Sequence, residues 1–294
     1  MKIAFGIIVF NGNNTLEESL KTIYPYASQI LIAEGPVKFW QDHGFTTSTD
    51  GTNEMLDNFP DPDNKITIVH SQYSEKLEQT NAYMKYIHDD IDYLWNLDSD
   101  QVFKNQDIVD VVRILRKSKN TYTLVKFSSL TFFGGFDRYM TGFEEAAGFP
   151  GLFRVYPGSR WEKHRYPKMK HKRRPLRDKV LTAKELSAKG IRLYHYSAVF
   201  ALHVSQKIKY YTELIGKGVI INNYFNDVWR AWINGDESTR IKIENKYQGV
   251  HEFKPHKRGP AFTAKFTGSH PMIIQENMDK LMGKFHEQLK KYEN

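Results

Sequence analysis

Four short apolar runs, at residues 2–10, 29–33, 65–70 and 93–97, most constrain what this chain can fold into. None alternates apolar with polar residues, which suits strands covered on both faces, as in a parallel sheet. The segments between them carry helical spacing. Leu16, Leu20 and Ile23 share one face over 16–24, a second helix is expected over 53–59, and Leu77, Tyr83, Met84 and Ile87 set a third within 74–88. Thr15 and Glu18 have the spacing of a capping box, with Asn14 as the alternative cap. Turns are expected at 11–14 and 61–64, and a loop with Phe39, Trp40 and His43 over 36–49. The order β-α-β-α-β-α-β predicts parallel strands joined by right-handed crossovers.

Beyond residue 100 the pattern continues with a helix over 105–118 and a strand over 121–130. A loop-like stretch follows over 131–148, with Gly134-Gly135 and the acids Glu144 and Glu145. Strands are expected at 151–156 and 191–196, a basic run at 163–179, and helices at 198–215 and 271–292. The chain has 294 residues, including 17 Tyr, 19 Phe and 5 Trp, enough to bury a core and to argue against overall disorder. It has no cysteine, which excludes disulfides, zinc–thiolate sites and thiol catalysis, and fits a reducing compartment. The apolar N-terminus breaks at Asn11 and reads as a first strand, not a signal peptide. No apolar run is long enough to span a membrane. The net charge of +8 favours anionic partners: phosphorylated donors, anionic lipid surfaces or nucleic acid.

The fourth run stops at Asp98, and Asp100 follows two residues later. In extended backbone, residues i and i+2 share a face, so the two carboxylates can point the same way. Their mutual repulsion is relieved by a hard divalent cation such as Mg²⁺ or Mn²⁺. The plain alternative is a surface turn, for which Asp and Ser are ordinary residues. Glu34 ends the second run and Asp50 opens the helix after it, so several acids fall at the carboxyl ends of strands. That rim is where open α/β sheets bind ligands.

The N-terminal half resembles a glycosyltransferase of the GT-A fold, closest in style to family 2. The resemblance rests on Ile7-Ile8-Val9-Phe10-Asn11, Ile32-Ala33-Glu34, Ser48-Thr49-Asp50-Gly51-Thr52, Lys76-Leu77-Glu78-Gln79-Thr80-Asn81, Asp98-Ser99-Asp100, Leu152-Phe153-Arg154 and His195-Tyr196. It covers roughly residues 3–200. Two departures stand out: Glu34 replaces the family's usual Asp, and a longer segment, including Phe39 and Trp40, separates it from Ser48. The resemblance implies a Rossmann-like, mostly parallel central sheet flanked by helices. It implies a catalytic domain over 1–200, with a donor-binding half at 1–103 and an acceptor-side half at 104–200. Residues 201–294 would form a mainly helical extension packed on it. Nucleotide-sugar contacts are implied for Asn11, Glu34, Asp50, Gln79 and Asp98, and metal ligation for Asp98, Asp100 and His195. The activity implied is hexosyl transfer from a nucleotide-diphosphate sugar, with inversion, aided by Mn²⁺ or Mg²⁺.

Inversion calls for a carboxylate base on the acceptor hydroxyl. Glu162, just after the Leu-Phe-Arg strand, is the first candidate and Glu145 the second, with Glu144 beside it. The acceptor class stays open among carbohydrate, lipid-linked and protein. The basic run suits a solvated loop, the donor diphosphate or a lipid-linked phosphate, and the expected location is cytoplasmic, with peripheral contact to an anionic inner membrane face. Trp161, Tyr166, Trp229 and Trp232 are candidates for sugar stacking or for the core. No helix-turn-helix or zinc-finger pattern accompanies the basic run, so nucleic acid is not the expected partner. The competing readings are a nucleotidyltransferase, against which the missing glycine-rich nucleotide loop counts, and a non-catalytic sugar- or nucleic-acid-binding protein.

Overall fold

The apolar runs fold as the parallel strands expected of them. The computed structural model describes residues 1–171, 178–216 and 218–292; positions 172–177 of the expected basic run lie outside the described residues. In chain order the elements are β1 (Ile3–Val9), α1 (Leu16–Ile23), β2 (Gln29–Glu34), α2 (Lys38–Gln41), α3 (Thr52–Asp57), β3 (Ile66–His70), α4 (Lys76–Met84), β4 (Tyr93–Asp98), β5 (Gln101–Val102) and α5 (Asn105–Lys117). Then come β6 (Leu124–Phe133), β7 (Arg138–Met140), α6 (Phe143–Ala146), β8 (Gly148–Arg154), β9 (Arg160–Lys163), β10 (Lys168–Lys170), β11 (Val180–Leu181) and α7 (Ala183–Ser187). The remainder is β12 (Leu193–Ala198), α8 (Ala201–Ile215), a π-helical stretch Phe225–Arg230, α9 (Ala231–Asn234), α10 (Glu237–Tyr247), α11 (Pro255–Arg258), β13 (Thr263–Lys265), α12 (Met272–Glu276) and α13 (Met278–Lys291). Among the described residues no helix is long and apolar enough to cross a membrane.

The chain divides into two compact units, 1–127 with 148–192, and 128–147 with 193–294. In the first unit the strand order is β3-β2-β1-β4-β8-β6. β1 pairs in parallel with β2 and β4, and β2 with β3, while β8 is antiparallel to β4. The sheet is therefore mixed, with a parallel core of four strands. β1 lies between two neighbours, which is why its sequence is apolar on both faces. Gly6 makes room in it: a Cβ there would lie 2.7 Å from the Tyr83 ring of α4. The Tyr83 hydroxyl donates to Asn96 Oδ1 (3.0 Å) and accepts from Trp161 Nε1 (3.1 Å), so one buried phenol satisfies a polar residue inside β4 and an indole on β9. Trp95 is stacked between Phe5 (5.5 Å) and Phe127 (5.2 Å). Offset ring pairs of this kind add about 0.5–1.5 kcal/mol each beyond area burial.

Two local expectations are corrected. The Thr15–Glu18 capping box does not form, although α1 begins where expected. The Thr15 backbone (φ −131°, ψ 10°) is not in the extended region an N-cap needs, its hydroxyl donates to Ser99 O instead (3.4 Å), and Glu18 is buried. A capping box is made elsewhere, by Thr182 and Glu185 at α7. The single final helix expected over 271–292 is two helices, broken at Asn277 (φ −104°, ψ 11°).

In the second unit, β6 from Ser129 onward pairs in parallel with β12 and antiparallel with β7, and β13 adds to β7. Its core joins Phe133, Met140, Val204, Trp229, Trp232 and Val250. The indoles bury their N–H groups with partners: Trp229 donates to Ala198 O (2.8 Å) and Trp232 to Glu244 (2.9 Å). Trp161, Trp229 and Trp232 are thus core residues, and only Tyr166 of the four sugar-stacking candidates is exposed.

The second unit also buries charge. Lys207 Nζ meets Glu252 at 2.9 Å, Glu252 lies 3.5 Å from His251, and His251 Nε2 lies 3.0 Å from Glu144. Burial works to raise the Glu252 pKa, but the His251 and Lys207 charges outweigh it and hold the group at about 2, down from 4.5. A depressed carboxyl stabilises the fold above its unfolded pKa, and that contribution is lost as pH falls through the folded value. Two results follow. Lys207→Met should leave the buried Glu252 carboxylate with His251 as its remaining partner and lower the unfolding free energy by about 3 kcal/mol at pH 7, read as a fall in the urea midpoint. Relative to Glu252→Gln, the wild-type advantage should shrink as pH is lowered from 4.5 toward 2; an advantage constant over that window would contradict the assignment.

Candidate active site

The register of the parallel strands sets the rim. Ile8 is opposite Asp98, Val9 opposite Glu34, and Glu34 opposite His70, so the ends of β4, β1, β2 and β3 arrive at one level. Beyond β1 the chain must turn sharply. Asn11 takes a left-handed conformation (φ 52°), and Gly12 has no room for a side chain: a Cβ there would lie 2.8 Å from Ser99 Oγ.

This turn is docked onto the Ser48–Thr52 motif by three successive backbone N–H groups. Asn11 N donates to Ser48 Oγ (2.9 Å), Gly12 N to Thr52 Oγ1 (2.9 Å) and Asn13 N to Asp50 Oδ2 (2.9 Å). In return, Thr49 N donates to Asn11 Oδ1 (2.7 Å). Asp50 also accepts from Thr52 N (3.1 Å), capping the start of α3, and Gly51 (φ 85°) supplies the left-handed residue between them. The polar motif thus satisfies a loop that would otherwise present three orphan donors.

Glu34 is 1% exposed. Its carboxylate accepts from Ser48 N (3.2 Å) and faces His70 Nδ1 (3.1 Å). Gln79 is buried below the rim, where its Nε2 donates to Val9 O (3.2 Å), Ala33 O (2.9 Å) and Gly35 O (3.2 Å). That amide ties together the ends of β1 and β2. Asn11, Glu34, Asp50 and Gln79 are therefore brought into one bonded rim.

At the end of β4, Asp98 is exposed and Asp100 buried. The tight turn between them is closed by Gln101, which accepts from Asp98 N (3.2 Å) and donates to Asp98 Oδ2 (3.1 Å). Carboxylate oxygens of Asp98 and Asp100 lie within 4.8 Å of one another. Two such oxygens, one exposed and one buried, are the donor chemistry that a hard cation takes. His195 stands on β12 in the second unit, in register with Thr131.

The candidate bases differ in setting. Glu162 on β9 is bracketed by Lys168 (3.1 Å) and Lys170 (3.4 Å) of β10, whose charges hold its pKa below the usual range. Glu145 is half-buried on α6. Glu144 beside it accepts from Thr131 (3.2 Å) and pairs with His251; burial works to raise its pKa, but the His251 bond and charge bring it below the usual value. Gln101, His251 and the Lys207–Glu252 pair were not legible as functional or structural groups in the sequence. The partners of Lys207 and His251 are distant in the chain, and the local signals were the adjacency of His251 and Glu252 and the three-residue spacing of Asp98 and Gln101.

The 36–49 segment forms the short helix α2 and an aromatic cluster. Trp40 is buried, with Phe39 (4.8 Å), Phe10 (5.7 Å) and Phe45 (5.7 Å) packed around it.

No family model matches the chain, and no curated protein matches it. Among solved structures, S. aureus TarS 1–349 is similar at 13% identity and a TM-score of 0.35, over 52% of this chain and 47% of that one. The same TarS fragment in complex with UDP-GlcNAc gives 15% and 0.32, over 44% and 35%. The 4-diphosphocytidyl-2C-methyl-D-erythritol synthase from Anaerococcus prevotii gives 14% and 0.31, over 52% and 70%. The chain spans less than half the length of the TarS chains it matches. Its own strand order, four parallel strands β3-β2-β1-β4 followed by antiparallel β8, is the GT-A-like α/β arrangement expected from the sequence.

The rim's dependence on Gln79 is testable. Gln79→Leu should remove the amide whose two N–H groups are shared among the Val9, Ala33 and Gly35 carbonyls, and lower stability by about 1–3 kcal/mol. A urea midpoint equal to wild type would show that the amide does not hold the strand ends.

Proposed function

We propose that the chain is a metal-dependent glycosyltransferase that moves a sugar from a nucleotide-diphosphate donor to an acceptor hydroxyl, with inversion. The observation that carries this reading is the carboxylate pair Asp98 and Asp100 at the carboxyl end of β4, beside the bonded rim of β1 and β2. Residues 1–103 handle the donor and 104–200 the acceptor. Asp98 and Asp100 are the carboxylate donors for Mn²⁺ or Mg²⁺, and the family resemblance adds His195 as a third ligand. When bound, the cation supplies Lewis acidity toward the diphosphate leaving group.

The chain's own residues do the rest. Asn11 and Gly12 hold the rim loop close to the Asp98–Asp100 turn, so donor phosphates meet a preformed edge. Glu34 and Asp50 orient the nucleoside: a carboxylate has about four acceptor positions, and the bonds of Asp50 to Asn13 and Thr52 and of Glu34 to Ser48 and His70 do not exhaust these. Gln79 acts from below by fixing the strand ends. Glu162 takes the acceptor proton, with Glu145 as the second candidate. An ion-paired carboxylate is a weak base in the resting state, so Glu162 would act once the acceptor displaces Lys168 or Lys170 from it. The likeness to TarS with UDP-GlcNAc is in keeping with a nucleotide-sugar donor.

A screen of nucleotide-sugars in Mn²⁺ tests the reading. The true donor should raise the melting temperature in proportion to its binding and be hydrolysed slowly without acceptor. Asp100→Ala should lose both responses while keeping its fold. Glu162→Gln should keep the thermal shift and lose about 10²–10⁴-fold in turnover. Full turnover in Glu162→Gln with loss in Glu145→Gln would move the base to Glu145, and metal-independent donor binding by Asp100→Ala would remove the metal assignment.

A further inference from the structure

The hairpin β9–β10 is built against its own electrostatics. Its register sets Lys168 opposite Lys163 and Lys170 opposite Arg160. Like charges directly opposite across a strand pair are destabilising. Between Arg160 and His171 the chain carries five Lys or Arg residues and one acid, Glu162. Glu162 already bridges Lys168 and Lys170. His164 adds no charge at neutral pH, because burial and then the Lys76 charge push its pKa down to about 3.

The two faces of the hairpin differ. Trp161 and Met169, opposite one another, are buried and anchor it. Arg160, Lys163, Arg165, Lys168 and Lys170 are all exposed. At the turn Tyr166 adopts φ 52° and is 66% exposed, the most exposed large hydrophobic of the described residues. A tyrosine projecting from a ring of cations pairs an apolar body and polar tip with positive charge, and this suits the headgroup layer of a bilayer. Polynucleotide binding stacks successive bases on several aromatic rings, and this hairpin exposes one, Tyr166.

We propose that the β9–β10 hairpin docks the protein on an anionic lipid surface, with Tyr166 entering the headgroup region and Lys163 and Arg165 beside it meeting lipid phosphates. Lipid phosphates add counter-charge to a hairpin that carries five cations and one acid. The hairpin also carries Glu162, the base proposed above, but vesicle binding is read without turnover and through other residues, so the two readings fail separately.

Co-sedimentation of the full chain with vesicles tests it. Vesicles of phosphatidylcholine alone should bind little, and those with added phosphatidylglycerol should bind in a salt-sensitive way. Lys163→Gln with Arg165→Gln should lower partitioning about 30-fold, since each cation near the surface contributes about 5-fold. Tyr166→Ser should lower it further. All three side chains are exposed, so the melting temperature and any donor-induced thermal shift should stay as in wild type. Equal binding to neutral and anionic vesicles, no binding to either, or full binding by the variants would overturn the proposal. So would displacement from vesicles by an oligonucleotide or heparin bound more tightly through the same residues, which would make the partner a soluble polyanion.

Discussion

Everything at the candidate site depends on the parallel register of β1 with its two neighbours. Parallel pairing brings strand ends to one level and leaves them facing the same way, so the chain leaving each strand must be accommodated on one edge. Here that edge carries Asn11, Glu34, His70 and Asp98 within the span of four strands. Backbone donors accumulate in the turns beyond it, and the sequence answers with side chains that accept: Ser48, Asp50 and Thr52 each take one N–H from residues 11–13. The motif is a device for finishing the sheet edge, apart from any role in the proposed reaction.

That double use explains why the rim is stiff enough to preorganise a site. A carboxylate such as Glu34, nearly inaccessible and bonded to Ser48 and His70, loses little further freedom if it meets a ligand. The acids at the end of β4 are less restrained: Asp98 is exposed and held through Gln101, and Asp100 is buried. Preorganised groups cost less to bring to a ligand than groups that must be ordered on binding. The core below follows the same logic. Gly6 exists to let Tyr83 approach β1, and Tyr83 in turn satisfies Asn96 and Trp161.

The second unit shows a different economy. Glu144, His251 and Glu252 are buried, with Lys207 half-buried against them, and the desolvation of these four ionisable groups is offset by mutual pairing. Such clusters fix which partners meet, because any other arrangement strands a charge. The cluster gives Glu144 a structural partner, and it separates two glutamates that are adjacent in the chain: Glu144 is committed to His251, while Glu145 lies half-buried on the same helical turn.

The sequence by itself determined the α/β class, the order of the first four strands and three helices, and the clustering of acids at strand ends, because hydrophobic period and turn chemistry are local properties. It also marked Asp98 and Asp100, since a run that stops at a carboxylate pair is visible within a few residues. It misassigned the Thr15–Glu18 capping box, because the Thr15 backbone is drawn out of the extended region a cap needs (φ −131°, ψ 10°) and Glu18 is buried. Only the tertiary structure decided what Gln79 does, which glutamate is paired with which cation, and that Trp161, Trp229 and Trp232 are core. The acceptors of Gln79 and Trp229 are tens of residues away, and even for a near pair such as Glu162 and Lys168 the free energy that selects it, desolvation offset by one specific hydrogen bond or ion pair, exists only once the chain has closed around it.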